Sequence, residues 1–308
     1  MHQAILLNLE TSDGSGQAVH PDVLHIPGGF GPERWPYWMV CTPYPYGNDY
    51  FENPEIFVST NGIAWSIPDG LHNPIVAPLS VSGDHYSDPD MVYHANELWL
   101  FYRETIRSKS PTQNILYLKK SPDGVAWTNP TEILRESEGR ELLSPAVIHD
   151  GTRFVMWTIE IEDKEFKILR RFSENGIEWG SPDTGTVSGM GTGRHIWHID
   201  VIKEEGRLSA ALVSCVAMNG GGSRIHYAYS LNEGLDWHMS DFLLEQAYEF
   251  ESQLQYRGSL RKFAEPGDRY GLWYSAASSA NVFSIAYLQL CRRGETLIGD
   301  ETLEAKAT

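Results

Sequence analysis

The chain has 308 residues, of which 41% are hydrophobic and 21% charged, a composition typical of a folded globular protein and not of a disordered one. Its 24 Lys and Arg residues against 41 Asp and Glu residues give a net charge of −17, which repels nucleic-acid backbones and anionic lipid surfaces. No apolar stretch approaches the roughly 20 residues that cross a bilayer. We therefore expect neither a nucleic acid nor a membrane as partner.

A short pattern, Ser-x-Asn/Asp-Gly-x-x-Trp with one insertion in its last copy, recurs along the chain. We call it the box; its four copies run over residues 59–65, 121–127, 173–179 and 230–237. Asn-Gly and Asp-Gly favour tight turns with positive φ, and the following Trp can pack one strand against its neighbour. We therefore expect the four box tryptophans to pack in the core, not to bind ligand: Trp65, Trp127, Trp179 and Trp237.

The box serines are separated by 62, 52 and 57 residues, which is enough for four short strands and their loops. Each box follows three runs rich in β-branched and aromatic residues, and a fifth set of runs ends the chain without a box. Five such units predict an all-β, five-bladed β-propeller forming a single domain over residues 1–308. Because the fifth unit lacks its outer hairpin, we expect residues 4–9 to complete that blade and close the ring.

The first run of each unit carries polar residues on one face. Five residues occupy equivalent positions in these runs: Pro21, Pro89, Pro145, Ile199 and Gly258. Because side chains alternate along a strand, the neighbours on either side project to the opposite face. That face holds two histidines, four carboxylates and an arginine: His20, Asp22, Asp88, Asp90, His198, Asp200 and Arg257. The first strand of each blade lines the channel of a propeller, so we expect these groups to meet at one mouth.

Further charged residues follow the second and third runs and are candidates for the rim of that mouth: Glu52, Arg103, Glu104 and Glu160. The loop at residues 42–48 is rich in Pro and Tyr and belongs to the same region of the first unit. Aromatic faces of this kind stack well on the apolar faces of sugar rings.

The box and the sequences His20-Pro21-Asp22 and Ser87-Asp88-Pro89-Asp90 resemble those of five-bladed propeller glycosidases, notably glycoside hydrolase families 43 and 32. The stretch at residues 37–54 also resembles uncharacterised phage tail-associated proteins. The glycosidase resemblance implies an aspartate base on the first blade, a second aspartate that tunes it, and a glutamate acid on a later blade. It assigns these roles to Asp22, to Asp90 or Asp88, and to Glu160. Glu52 is the reserve acid, because Asn53-Pro54 could fix its direction on the first blade beside Asp22.

Glycoside hydrolysis needs a carboxylic acid to protonate the leaving oxygen and a carboxylate to activate water or attack carbon. Clustered carboxylates push their pKa values apart, which is how one of them becomes the acid. The other polar residues of the mouth and rim are expected to bind substrate: His20, Glu52, Asp88, Arg103, Glu104, His198, Asp200 and Arg257.

These features predict a glycoside hydrolase that acts on an extracellular or cell-wall polysaccharide and requires no cofactor. The alternative is a non-catalytic propeller that binds carbohydrate or serves phage tail adhesion. A third reading places Ca²⁺ in the channel, held by the oxygen ligands that it prefers together with one imidazole: Asp22, Asp90, Asp200 and His198. In each case we expect an oligo- or polysaccharide partner and an extracellular or virion-associated location, although Met1-His2-Gln3 does not begin a signal peptide.

Overall fold

The computed structural model describes residues 4–80, 83–136, 140–242, 244–263 and 268–300. Over these residues the chain forms 21 strands in five sheets, and three short 3-10 helices at Pro45–Gly47, Asp49–Phe51 and Glu249–Glu251. The expected all-β, five-bladed propeller is confirmed. None of the helices in the described ranges is long and apolar enough to cross a membrane.

The strands follow the blades in chain order after β1 (Ile5–Leu6). Blade 1 contains β2 (Ala18–Phe30), β3 (Trp35–Pro43) and β4 (Glu55–Ser59). Blade 2 contains β5 (His85–His94), β6 (Glu97–Ile106), β7 (Gln113–Ser121) and β8 (Thr131–Arg135). Blade 3 contains β9 (Glu141–His149), β10 (Phe154–Glu162), β11 (Glu165–Ser173) and β12 (Asp183–Thr184). Blade 4 contains β13 (Thr186–Ser188), β14 (His195–Glu204), β15 (Arg207–Cys215), β16 (Arg224–Ser230) and β17 (Asp236–Phe242). Blade 5 contains β18 (Leu254–Lys262), β19 (Arg269–Ala277), β20 (Phe283–Arg293) and β21 (Thr296–Gly299).

The N-terminal strand closes the ring, as the sequence predicted. β1 pairs antiparallel with β20, with Ile5 opposite Tyr287, and the N–H of Leu7 extends the contact by donating to the carbonyl of Ile285. The last strand, β21, also pairs with β20, further along the same edge. The outer edge of blade 5 is therefore covered from both ends of the chain, which leaves little of it open to another strand.

Each box packs on a residue of the preceding blade. In the first copy the Ser59 hydroxyl accepts from the N–H of Gly62, and Gly62 has a φ of 75°. A Cβ on Gly62 would lie 2.9 Å from the Trp273 indole, whose N–H donates to the Gly62 carbonyl. The other box glycines face a tryptophan in the same way: Gly124 on Trp38, Gly176 on Trp99 and Gly234 on Trp157. Of the box tryptophans themselves, Trp237 is fully buried, and Trp65, Trp127 and Trp179 are half-buried against the core.

The innermost strand of every blade contains a β-bulge, in which it has one residue more than the neighbouring strand. In blade 1 the register shifts between Val19 and Asp22, and equivalent shifts occur in β5, β9, β14 and β18. In the first three blades the shift coincides with a residue of positive φ before a proline, namely His20, Asp88 and Ser144. Proline has no N–H to give to a ladder and is tolerated at such bulges. These bulges occur where the strands reach the mouth of the channel.

Candidate functional site

A bulge redirects the side chains beside it, and in this chain it presents two of them to the channel mouth. His20 and Asp88 adopt φ values of 54° and 49°, which bulky residues rarely adopt. The structure brings both together with His198 of β14, on the other side of the channel. Nε2 of His20 lies 3.2 Å from Oδ1 of Asp88, and Nδ1 of His198 lies 3.6 Å from the same oxygen. We call these three residues the mouth cluster.

The mouth cluster is buried but has unused polar atoms. One ligand atom from each residue lies within 4.8 Å of the others. Nε2 of His20, both carboxylate oxygens of Asp88 and both ring nitrogens of His198 lack hydrogen-bond geometry within the described residues, and their near contacts are ion pairs among themselves and with arginine. Buried polar groups normally have partners, so a cluster of orphans at one point indicates that something else satisfies them.

The protonation states of the cluster follow from its surroundings. Burial lowers the pKa of His20 to about 3 and also lowers that of His198, so both imidazoles are neutral. Burial opposes ionisation of Asp88, but Arg103 and the other cations around it outweigh burial and hold its pKa below the usual range. A carboxylate between two neutral imidazoles is a divalent-metal ligand set.

Two arginines hold Asp88 in place. Nη2 of Arg103 lies 3.0 Å from Oδ2 of Asp88, while the same guanidinium donates to the Ser87 hydroxyl and to the Leu142 carbonyl. Arg257, which is fully buried, lies 3.9 Å from Oδ1 of Asp88. Arg103 thus contacts residues of two blades and fixes the orientation of the carboxylate.

His20 is oriented by its other ring nitrogen. Nδ1 of His20 lies 3.3 Å from the Thr42 hydroxyl, which leaves Nε2 directed at Asp88. Ligand histidines are commonly oriented in this way through the ring nitrogen that does not face the metal. Glu52 is nearby, with Oε2 3.9 Å from the same Nδ1. Burial, together with the negative charge of Asp88, raises the pKa of Glu52 well above its ordinary value.

A polar cavity of about 390 Å³ opens above the cluster. Its lining includes three aromatic side chains, Tyr44, Trp197 and Tyr256. It also includes charged and amide side chains: Asp49, Glu52, His85, Arg103, Arg107, Asn114 and Glu141. The ring centroid of Tyr256 lies 5.2 Å from that of His20 and 5.0 Å from that of His198. Burial raises the pKa of Tyr256, so its hydroxyl stays protonated as a donor.

Three aspartates of the predicted site form a second layer, which we call the aspartate ring. Asp22, Asp90 and Asp200 lie within 4.8 Å of one another and are fully buried. Their carboxylates accept backbone N–H groups from the neighbouring blade: Met91 to Asp22 at 2.6 Å, Val147 to Asp90 at 2.9 Å, and Leu260 to Asp200 at 2.7 Å. Arg261 adds ion pairs to Asp22 and Asp200. Arg257 bridges the layers, with Nη2 3.7 Å from Oδ1 of Asp90.

The four residues of the calcium hypothesis do not all lie in the same layer. His198 belongs to the mouth cluster, while Asp22, Asp90 and Asp200 belong to the aspartate ring. The guanidinium of Arg261 already supplies positive charge to the ring. Only the mouth cluster combines orphaned ligand atoms with a cavity, so it is the better fit for a metal among the described residues.

The remaining predicted rim residues lie away from the mouth cluster. Glu160 is buried on β10, its carboxylate 3.6 Å from Arg140, and it is not among the cavity-lining residues of the described chain. Glu104 accepts from the Tyr117 hydroxyl on the other face of β6. The roles that the resemblance assigns to Asp22, Asp90 and Glu160 therefore stay predictions, as do the binding roles of the other site residues.

The structure also adds residues that the sequence did not point to. His85 lies on the cavity wall, where burial lowers its pKa to about 4 and its Nδ1 contacts the Gly83 carbonyl at 3.2 Å. Tyr256 precedes Arg257 and faces the cavity because the bulge of β18 falls at this residue. Strand alternation could have predicted Arg261 as a channel residue, because Arg257, Ser259 and Arg261 are alternate residues of β18 and share one face.

Comparison with known proteins finds the same fold in carbohydrate-active propellers. No family model matches the chain. A type A blood N-acetyl-α-D-galactosamine deacetylase from Flavonifractor plautii is 26% identical over 87% of this chain. The aligned region is 41% of that protein, so the chain spans less than half the length of this curated relative.

Solved structures show the same architecture. An N-acetylgalactosamine deacetylase from F. plautii, in complex with blood group B trisaccharide, has a TM-score of 0.83 at 21% identity, covering 94% of each chain. A thermostable family-43 glycoside hydrolase has a TM-score of 0.68 at 13% identity, covering 92% of this chain and 93% of that one. A family-32 β-fructofuranosidase from Bombyx mori has a TM-score of 0.66 at 14% identity, covering all of this chain and 67% of that one. The predicted resemblance to families 43 and 32 is thus confirmed at the level of the fold, and the phage tail resemblance stays a prediction.

Proposed function

We propose that this protein hydrolyses the N-acetyl group of an amino sugar, with a divalent metal held by His20, Asp88 and His198. The observation that carries the proposal is the mouth cluster: three buried ligand groups whose facing atoms, Nε2 of His20, the Asp88 oxygens and the His198 nitrogens, lack hydrogen-bond geometry among the described residues, at the base of a polar cavity. The F. plautii deacetylase supports the reaction class, since it aligns with most of this chain. A metal in this position supplies Lewis-acid polarisation of a carbonyl and lowers the pKa of a water molecule.

The residues around the cluster match the needs of amide hydrolysis. The Glu52 carboxyl lies on the cavity wall beside His20, in a place to take a proton from water and return it to the leaving nitrogen. The Tyr256 hydroxyl is a donor that can stabilise the oxygen on which negative charge develops. Arg103 keeps Asp88 ionised and fixed throughout.

The cavity walls suit a sugar carrying an acetamido group. Tyr44, Trp197 and Tyr256 offer rings to the apolar side of a pyranose, and the polar side chains of the lining offer donors and acceptors for its hydroxyls. An extracellular glycan is the corresponding natural source, in keeping with the location expected from the sequence.

Glycoside hydrolysis is the second candidate, and one observation favours it. Glu52 lines the cavity and Asp88 lies beside the cavity-lining His20, and their pKa values are displaced in opposite directions, upward for Glu52 and downward for Asp88. Carboxyl groups separated in this way serve as acid and base in glycosidases. In that reaction Asp88 would be the base and Glu52 the acid, in place of the roles assigned by resemblance to Asp22 and Glu160.

One experiment separates the two reactions. Acetate and new reducing ends are measured in parallel on a trisaccharide ending in α-linked N-acetylgalactosamine and on polysaccharides such as arabinan. We expect acetate without reducing ends, loss of acetate on chelation, and recovery on adding Mn²⁺ or Zn²⁺. Asp88→Asn should abolish the release, whereas Asp183→Asn, at an exposed carboxylate that pairs with Arg170 away from the cavity lining, should not. Reducing ends without acetate would establish the glycosidase, and neither product on a broad panel would favour a binding protein.

A further inference from the structure

We propose that Tyr46 and Tyr50 form a second sugar-binding subsite beside the cavity, so that the ligand is an oligosaccharide and not a free monosaccharide. The subsite would hold the sugar next to the one in the cavity. This inference rests on the proposed function in one respect, that the cavity receives the terminal sugar.

The first support is the exposure of two large aromatic side chains in one loop beside the cavity. Tyr46 is 66% exposed and Tyr50 is 43% exposed, within five residues of one another in the loop that follows β3. Exposed aromatic residues that flank a concave site commonly bind ligand, since solvation alone does not favour them there.

The second support is the backbone that displays Tyr46. This residue has φ 54° and ψ 31°, a left-handed conformation that is unusual for a bulky side chain. Its N–H donates to Gln17 Oε1 at 3.0 Å, and its carbonyl accepts from Asn281 Nδ2 at 2.6 Å. Gly47 follows with φ 78°, and a Cβ there would lie 2.9 Å from Asn281 Nδ2. A strained conformation held by two side chains from elsewhere in the fold is characteristic of functional positions.

The third support is continuity with the cavity. The same loop supplies Tyr44 and Asp49 to the cavity wall. The Tyr44 ring lies parallel to that of Tyr256, with centroids 6.5 Å apart and planes at 10°. It also packs edge-to-face with Phe283, with 4.7 Å between ring centroids. Tyrosines therefore lead from the base of the cavity through Tyr44 to the exposed Tyr46.

The occupant follows from chemistry and charge. Stacking on an exposed tyrosine suits a sugar ring or a nucleic-acid base. The net charge of −17 opposes a phosphate backbone and leaves the neutral sugar. A glycan whose terminal amino sugar enters the cavity would place its next ring over this loop.

Calorimetric titration of the full chain tests the subsite. The probes are methyl N-acetyl-α-D-galactosaminide and the type A blood-group trisaccharide, which ends in the same sugar. We expect the wild type to bind the trisaccharide more tightly, and Tyr46→Ala or Tyr50→Ala to weaken that binding by up to about tenfold. Tyr46→Phe, which keeps the ring, should restore it. Tyr93→Ala, at another exposed tyrosine, serves as the control and should bind like the wild type.

The subsite is overturned if the wild type binds both probes equally, if it binds no trisaccharide, or if the Tyr46→Ala/Tyr50→Ala double variant retains wild-type affinity. Acetate release is scored separately. Tyrosine-dependent trisaccharide binding without acetate release would overturn the proposed reaction but support the subsite. Acetate release with no dependence on either tyrosine would do the reverse.

Discussion

The Asp90 carboxylate accepts a hydrogen bond from the backbone N–H of Val147 in the next blade, with 2.9 Å between Oδ2 and N. The same bond recurs at two other blade boundaries, from Met91 to Asp22 and from Leu260 to Asp200. At a fourth boundary a serine replaces the aspartate, with the Val23 N–H donating to Ser259. The inner edge of each blade has no further strand to bond, so these side chains satisfy its N–H groups. The aspartate ring thus joins the blades around the channel.

Replacing Asp22 should therefore lower stability. Asp22→Asn keeps an acceptor for the Met91 N–H but leaves the Arg261 guanidinium without one of its two carboxylate partners. We expect the free energy of unfolding to fall by about 3 kcal/mol, measured by chemical denaturation. Unchanged stability together with lost turnover would instead support the catalytic role that the family resemblance assigns to Asp22.

Blade 3 offers the converse test. Ala146 occupies the position of Asp22 and Asp90 in that blade, and Val201 is the residue of blade 4 that corresponds to Val147. Ala146→Ser places a hydroxyl where Ser259 has one, and we expect a gain of about 1 kcal/mol in the free energy of unfolding. Ala146→Val, which adds volume without an acceptor, should be destabilising. If Ala146→Ser were no more stable than Ala146→Val, the boundary between blades 3 and 4 would have no N–H group in need of this acceptor.

The sequence predicted the fold because each blade repeats the same local chemistry. The box requires a glycine at positive φ, and Gly62 or Gly124 cannot be replaced without meeting a tryptophan of the preceding blade. Strand alternation likewise predicts that His20, Asp88 and His198 meet at one mouth. Both inferences depend on repeating patterns, the spacing of the box and the alternation of side chains along a strand, and both patterns are visible in a single sequence.

What alternation could not predict is the effect of the bulges. An extra residue in β18 brings Tyr256 to the cavity although strict parity sets it on the face opposite Arg257. Alternation also gave no sign that the channel side chains divide into two layers, one facing the cavity and one bonded to neighbouring blades. Asp88 and Asp90 flank the same proline in the sequence, yet Asp90 accepts the Val147 N–H of the next blade while Asp88 faces His20.

Arg103 should govern metal affinity without being a ligand. Its guanidinium contacts Asp88, Ser87 and the Leu142 carbonyl together, which the point charge of lysine cannot reproduce. We expect Arg103→Lys to weaken Mn²⁺ or Zn²⁺ binding by about 10- to 100-fold in a calorimetric titration. Arg135→Lys, in an exposed ion pair with Glu132, is the control. Equal affinity in the wild type and the Arg103 variant would refute the positioning role.

Glu55 should make stability depend on pH. Burial raises the pKa of this residue from 4.5 to about 7, and its carboxylate accepts the N–H of Ser12. A carboxyl whose pKa is raised by folding stabilises the fold below its unfolded pKa, and that contribution is lost as pH rises through the folded value. We therefore expect stability to decline between about pH 4.5 and 7, by up to about 3 kcal/mol from this group.

The measurement is a set of denaturation curves across that range for the wild type and Glu55→Gln. The variant cannot ionise, so its stability relative to the wild type should increase with pH and level off above about pH 7. Glu132→Gln, at an exposed position, should run parallel to the wild type. A constant difference between Glu55→Gln and the wild type would contradict the raised pKa.

The central claim is that His20, Asp88 and His198 bind a divalent metal, and calorimetric titration of the chelator-treated protein with Mn²⁺ and Zn²⁺ tests it most directly. Both imidazoles are neutral and the carboxylate is ionised, so binding near pH 7 should displace few protons from the ligands. We predict a single-site isotherm for the wild type and its loss in Asp88→Asn and His198→Gln, provided that both variants still unfold cooperatively. No binding by the wild type, or undiminished binding by both variants, would contradict the account.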